Sequence, residues 1–419
     1  MNEQLLQFIW QFQYYNKQAL TTSKGEALQI LQQGSINKNQ GPDFLNGKIK
    51  CATTTLVGSI ELHVLASDWL KHQHSNDQHY NNVILHVVWQ EDVQLPLQFP
   101  VLVLHDRVSK ILLQQYQHLQ SNQPFIPCSK QLQQVNDMVI FAWKQRLFVE
   151  RLQQKTTAIQ QQLQQQQPWE TLFWQVLCKN FGGTTNKEAF EKIAQTISIQ
   201  ILAKHKNQLH QLEALLLGQA GLLQHSFEDD YPKMLQKEYQ FLQHKYQLQP
   251  THATVQWLRM RPANFPTIRL SQLAQIIYKN VHLFSQIMAA DDLKKVYALF
   301  DVAANDYWLY HYRFDEPSVY KEKKLGKQMI HHLIINVVLP MLYVYGWYHN
   351  KPSFSDKAIE WALQLPAEKN SITKGFANLG ISNTNALDSQ ALIQLKNNYC
   401  NHKHCLQCAI GNHILKKEY

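Results

Sequence analysis

Apolar positions divide the chain before any chemistry is considered. Across residues 3–15, Leu5, Leu6, Phe8, Ile9, Trp10 and Phe12 recur among glutamines, which predicts an amphipathic helix. Residues 18–31 fold back at Ser23-Lys24-Gly25, either as a hairpin or as a turn into a short helix. Residues 34–42 form a loop, and Phe44 to Lys50 a strand. From Leu56 to Ala66 the alternation is clear: Ile60, Leu62 and Val64 fall on one face, Glu61 and His63 on the other. Ser67 to Tyr80 is polar, a loop or short helix, and Val83 to Trp89 is the near-continuous apolar run of a buried strand. A further strand pair is expected around Leu95 to Leu104.

Beyond Asp106 the period lengthens, and residues 130–300 are expected to be mainly helical. Gln160 to Gln167 is a glutamine tract that stops at Pro168, a solvated helix end rather than a functional segment. Leu212 to Leu223 reads as a buried helix with Gly218 at its packing face, residues 259–269 as an irregular basic segment, and Leu333 to Tyr345 as a buried helix kinked by Pro340. The expected fold class is α+β. An N-terminal α/β domain over residues 1–125 precedes a mainly α-helical domain over 126–395, and residues 396–419 form a Cys/His tail.

Composition narrows the partners a little. At 419 residues with 45% hydrophobic content the chain can bury a large core. The net charge of +9 favours a polyanion, and nucleic acid, with DNA preferred, is the expected partner. No run approaches 18 apolar residues, and Glu3 stands where a signal peptide carries basic charge, so no membrane association and a cytoplasmic location are expected. Six cysteines are too few to scaffold so long a chain with disulfides, and three crowd into its last twenty residues.

The densest chemistry lies between Gly41 and Trp89, where His63, His72, His74, His79 and His86 mingle with Asp43, Glu61, Asp68 and Asp77. Phosphodiester hydrolysis needs charge neutralisation at the phosphoryl oxygens and a deprotonated water, and Mg²⁺ or Mn²⁺ held by carboxylates supplies both. Asp43 at the mouth of one strand and Glu61 on the next, with His63 on the same face, are the candidate ligands and catalytic groups. His72, His74 and Asp77 form a second constellation that suits Zn²⁺ or Mn²⁺, or a general acid for the leaving oxygen. His86 inside its apolar strand is a core histidine unless it faces Glu61 across the sheet. Cys400, Cys405 and Cys408 form C-x4-C-x2-C, spacing that suits a tetrahedral ion. The plain choice is zinc and the alternative an iron–sulfur cluster, with the fourth ligand a tail histidine or Cys51, Cys128 or Cys178. Arg259, Arg261, Arg269, His311 and Arg313 mix with aromatics as a nucleic-acid groove would, but internal pairing is the favoured expectation. The chain carries no Walker, G-x-S-x-G or dinucleotide motif, so neither helicase nor kinase is supported.

Pro42-Asp43 followed by Glu61-Leu62-His63 resembles the PD-(D/E)XK nuclease superfamily. The resemblance implies a restriction-endonuclease-like order of helix, three strands, helix and strand. Asp43 and Glu61 would be metal ligands, and Glu3, in competition with Glu26, the distal acid. His63 stands where that family has its lysine. Loosely, the cysteine tail is similar to the cluster that closes the nuclease domain in some of its helicase–nuclease members. The whole chain resembles a bacterial family known only as a domain of unknown function. That resemblance is carried by GPDF at Gly41 to Phe44, GSIELHV with the histidines after it, LLLGQAGLL, RPANFPTIRL, YWLYHYRF and the cysteine tail. The expected function is a metal-dependent nuclease acting on DNA. The alternatives are a non-catalytic nucleic-acid-binding or assembly protein on the same fold, or a zinc hydrolase built on His72, His74 and Asp77.

Overall fold

A computed structural model describes residues 1–37, 39–121, 125–251, 255–258, 260–280 and 282–416. It has an N-terminal mixed α/β region, a long helical region and cysteines gathered at the C-terminus. The chain divides into two compact units: Met1–Lys144 with Gly375–Ile381 and Ile393–Tyr419, and Gln145–Lys374 with Ser382–Leu392.

In the first unit, helix α1 (Glu3–Gln11) starts at Asn2, whose side chain accepts the Leu5 N–H. Its face of Leu5, Leu6, Phe8, Ile9 and Trp10 is buried. The strands are β1 (Leu28–Gln32), β2 (Ser35–Ile36), β3 (Phe44–Cys51), β4 (Thr54–Leu65), β5 (Val83–Gln90) and β6 (Val101–Val103). They lie in the order β1-β3-β4-β5-β6, with β2 also on β3. The pairs from β1 to β4 are antiparallel, and those from β4 to β6 parallel. A bulge in β3 between Phe44 and Gly47 sits beside Asp43. β5 is buried from Val83 to Val88, so its sequence shows no alternation.

Of the two arrangements open for residues 18–31, the chain takes the hairpin, in which residues 20–22 pair back on 26–28 and lead into β1. Two expectations change. The strand pair expected at 95–104 is the single strand β6, because Pro96 and Pro100 remove ladder donors and the chain turns at Leu95–Leu97. The helix Pro266–Lys279 begins inside the segment read as irregular, with Pro266 at its first position, where the missing N–H costs nothing.

The second unit is helical. Leu209–Gln219 is buried along Leu212 to Gln219, and Gly218 meets the Tyr239 ring so closely that an added Cβ would lie 2.2 Å from it. Glu213, fully buried, accepts hydrogen bonds from Tyr231 Oη, Trp308 Nε1 (3.2 Å) and the Ser271 hydroxyl. Lys327–Tyr348 is long and apolar enough to cross a membrane by length and composition, yet 67% of its apolar window is buried inside the protein. Its Ile334–Val338 stretch is a π-turn, in which the Leu339 N–H reaches back to the Ile334 carbonyl just ahead of Pro340. Three of the basic residues pair internally, as favoured, while Arg261 is exposed. Arg269 bonds Asn264 (2.6 Å) and Gln272 (2.9 Å), Arg313 stacks on Trp257 and Phe265, and His311 lies on the Tyr307 ring. Arg259 lies outside the described residues.

Candidate metal centre

The parallel register of β4 and β5 pairs Glu61 with His86 and His63 with Val88. Both histidines are buried, and His63 Nδ1 lies 2.9 Å from His86 Nε2. His86 is thus the cross-sheet neighbour of Glu61 and the partner of His63.

The loop after β4 returns two more imidazoles to this place. Asp68 opens a one-turn helix α2 (Asp68–Lys71) by accepting the Leu65 N–H (3.0 Å) and the Lys71 ammonium (2.6 Å). Trp69 is buried against His74, His86 and Phe99, and its Nε1 donates to Ser75 Oγ (2.9 Å). Gln73 takes a left-handed conformation (φ 58°), reversing the chain between His72 and His74. The His74 ring then stacks on Tyr80 with centroids 3.8 Å apart.

The result is a tight ligand set. His72 Nδ1 is 3.1 Å from His63 Nε2, and Glu61 Oε1 is 3.6 Å from His63 Nε2 and 3.5 Å from His74 Nε2. One ligand nitrogen from each of His63, His72 and His74 lies within 4.8 Å of the others. Ligand nitrogens at zinc–nitrogen bond lengths stand about 3.3 Å apart along a tetrahedral edge, close to the 3.1 Å between His63 and His72, while Glu61 Oε1 lies beside the set. His74 Nε2 and His86 Nδ1 are buried with no hydrogen-bond partner. A cation would satisfy the first, so the residues fit a metal ion. His63 would bind through Nε2 with its proton on Nδ1, donated to His86, a tautomer assigned from the hydrogen-bond network.

Electrostatics agree. Burial first, then the neighbouring histidines, lowers His63 to about 3. Burial and then His74 lower His86 to about 4, and burial also lowers His74. These imidazoles are neutral at pH 7, the form that binds metal. Burial raises the carboxyls of Asp43 and Glu61, and the charge of Asp43 pushes Glu61 further.

The set able to hold an ion is therefore imidazole, not the acid pair expected. Asp43 and Glu61 do meet, the Asp43 N–H donating to Glu61 Oε2 (3.0 Å). Both Asp43 oxygens, however, accept other bonds, from Gln7 Nε2 (2.7 Å) and the Leu62 N–H (3.1 Å). Asp77 turns to His79, accepting its backbone N–H (2.9 Å) and lying 2.7 Å from its ring, so it does not take the carboxylate place in the set. Glu3 adds its field to both buried acids, while Glu26 lies 3.6 Å from the Cys51 thiol. Cys400, Cys405 and Cys408 line one small cavity together with Cys128. Cys178 is instead buried against the Phe190 carbonyl. Gln7 and Tyr80 carry no signal in the sequence that separates them from their neighbours; only the fold brings them to the site.

An α/β sheet bearing a histidine-rich metal-ligand set defines the class. The chain matches, over residues 3–371, the family described as "Protein of unknown function (DUF2851)", and it belongs to that family. Neither a curated protein nor a solved structure matches it.

Proposed function

We propose that this chain is a metal-dependent hydrolase in which His63, His72 and His74 hold a zinc or manganese ion beside Glu61, and that its substrates are phosphodiesters in DNA. The observation that carries the hydrolase reading is the convergence of the three imidazoles with the Glu61 carboxylate, one buried nitrogen of the set being unpartnered. A bound ion would supply Lewis-acid polarisation and a water deprotonated near neutral pH. The chain's own groups do the rest. The Asp43 N–H holds Glu61 Oε2, leaving Oε1 toward the histidines, where the charge of a bound cation would offset the burial that raises this carboxyl and let it take a proton from water and return it to the leaving oxygen. His86 orients His63, while Trp69 and Tyr80 wall the loop side and exclude bulk water.

The DNA part rests on the +9 charge and the PD-(D/E)XK resemblance. The meeting of Asp43 with Glu61 runs through the Asp43 backbone N–H, and both Asp43 oxygens are engaged by Gln7 and Leu62, so it does not itself bring the two acids onto one ion. The test is hydrolysis of single-stranded, duplex and branched DNA, and of a small phosphodiester and a carboxylic ester, in Zn²⁺, Mn²⁺ or Mg²⁺. Wild type is compared with His74→Ala, Glu61→Gln and Asp43→Asn. The expected result is DNA hydrolysis lost in His74→Ala and Glu61→Gln. Full activity in His74→Ala with none in Asp43→Asn moves the ion to the acid pair. Hydrolysis of the ester alone overturns the DNA assignment. An inert wild type that binds DNA in a salt-dependent way overturns the hydrolase.

A further inference from the structure

Away from the histidines, the same unit brings together four sulfurs from two distant stretches of sequence. Cys128 lies in the segment after helix α3 (Lys110–Gln120), while Cys400, Cys405 and Cys408 lie between the helical turn Leu395–Cys400 and the helix Ala409–Lys416. All four line one cavity of about 10 Å³, together with Tyr399, His404 and Gly411. Cys128, Cys405 and Cys408 are buried and Cys400 is half-buried, all as thiols.

We infer that Cys128, Cys400, Cys405 and Cys408 form a single structural zinc site, with Cys128 as the ligand that the tail lacks. The site is independent of the histidine set. Three observations carry it. First, the sequence spacing leaves the tail one thiolate short of a closed tetrahedral site, and the fold delivers the fourth from 272–280 residues away, where Lys396 and Lys403 clamp the same two stretches by donating to the Phe125 and Gln120 carbonyls (2.8 and 2.7 Å). Second, Gly411 approaches so closely that a Cβ there would lie 2.2 Å from the Cys405 carbonyl oxygen, which lets the last helix close over the thiols. Third, the space that the four thiols line together is small, with room for about one water-sized body.

Cys128, Cys400 and Cys405 stay protonated without an ion. Burial first, then the neighbouring cysteines, pushes Cys128 and Cys405 up to about 12 and Cys400 well above its ordinary value. Among the described residues only the histidine set has its ligand atoms within 4.8 Å of one another. Zinc must therefore draw the sulfurs inward, to the edge of about 3.8 Å that 2.3 Å zinc–sulfur bonds require.

The experiment uses the full chain purified without chelator, with zinc, iron and acid-labile sulfide measured on wild type, Cys128→Ser, Cys178→Ser and the double variant His72→Ala/His74→Ala. The expected result is one cysteine-held zinc per chain, counted beyond any ion on the histidines, that survives in Cys178→Ser and in the histidine variant and is lost in Cys128→Ser. If Cys128→Ser does not fold, titrating wild type with an organomercurial decides: zinc released as the buried thiols react supports the site, and no release overturns it. Unchanged zinc in a folded Cys128→Ser also overturns it. Iron with stoichiometric sulfide replaces zinc by a cluster and overturns the single-ion assignment. Zinc lost only in the histidine variant leaves the proposal of the previous section standing and removes this one.

Discussion

Replacing His86 by Leu separates the support of the metal centre from the support of the fold. His86 is wholly buried, and its one ring contact with the ligand set is the 2.9 Å link from Nε2 to His63 Nδ1. Removing it frees His63 to rotate and deprives the ligand of the acceptor that fixes its tautomer. Losing such a partner lowers metal affinity by about 10- to 100-fold, or roughly 1.4–2.7 kcal/mol. Two opposing changes act on the metal-free protein. His63 Nδ1 is left unpaired in the core, a cost of about 1–3 kcal/mol, but the orphaned His86 Nδ1 disappears, a gain of similar size. Leu is close to imidazole in volume, so packing adds little. The expected outcome is a zinc affinity, read by competition with a chromophoric chelator, that falls one to two decades. Chelator-treated protein should denature in urea within about 1 kcal/mol of wild type. An unchanged affinity would refute the reasoning, as would a metal-free loss of several kcal/mol.

Other substitutions probe other parts of the chain. His72→Ala should weaken zinc binding while leaving metal-free stability within about 0.5 kcal/mol, because the side chain is exposed; a loss of stability comparable to that of a core substitution would show that His72 is structural. Gly218→Ala places a methyl against the Tyr239 ring and should cost about 1–3 kcal/mol in a thermal or urea melt, a neutral result contradicting the close approach. Burial raises Glu213 above its ordinary 4.5, so the folded state holds the extra proton between that value and its own. Its stabilising contribution is full below about pH 4.5 and is lost as pH rises through the folded value. Glu213→Gln should flatten that part of the stability–pH curve, and an unchanged slope would assign it to another group.

What the sequence discloses and what it conceals follow from physics. β4 was legible because one of its faces is apolar, and β5 because a strand buried on both sides must be apolar throughout. The histidine loop stood out by density alone. The grouping within it did not, because it depends on two non-local facts. One is the parallel register that sets Glu61 opposite His86, and the other is the left-handed Gln73 that reverses the loop and leaves Asp77 with His79. The β3–β4 hairpin similarly joins Asp43 to Glu61 but gives the Asp43 oxygens to Gln7 and Leu62, which no spacing rule foretells. Pro340 was visible as a break, whereas the π-turn that absorbs it was not.

That π-turn turns a local irregularity into a counting constraint. Each residue advances a helix by about 100°, so the surplus residue within Ile334–Val338 sets the rotational phase of everything after it. Closing the π-turn into ordinary helix at unchanged length would swing the buried Leu342 and Val344 off the core and bring Tyr343 and Tyr345 toward it, whereas deleting one residue there would restore ordinary bonding and leave the downstream phase in place. Through this stretch the chain tolerates the loss of one residue far better than the gain of another.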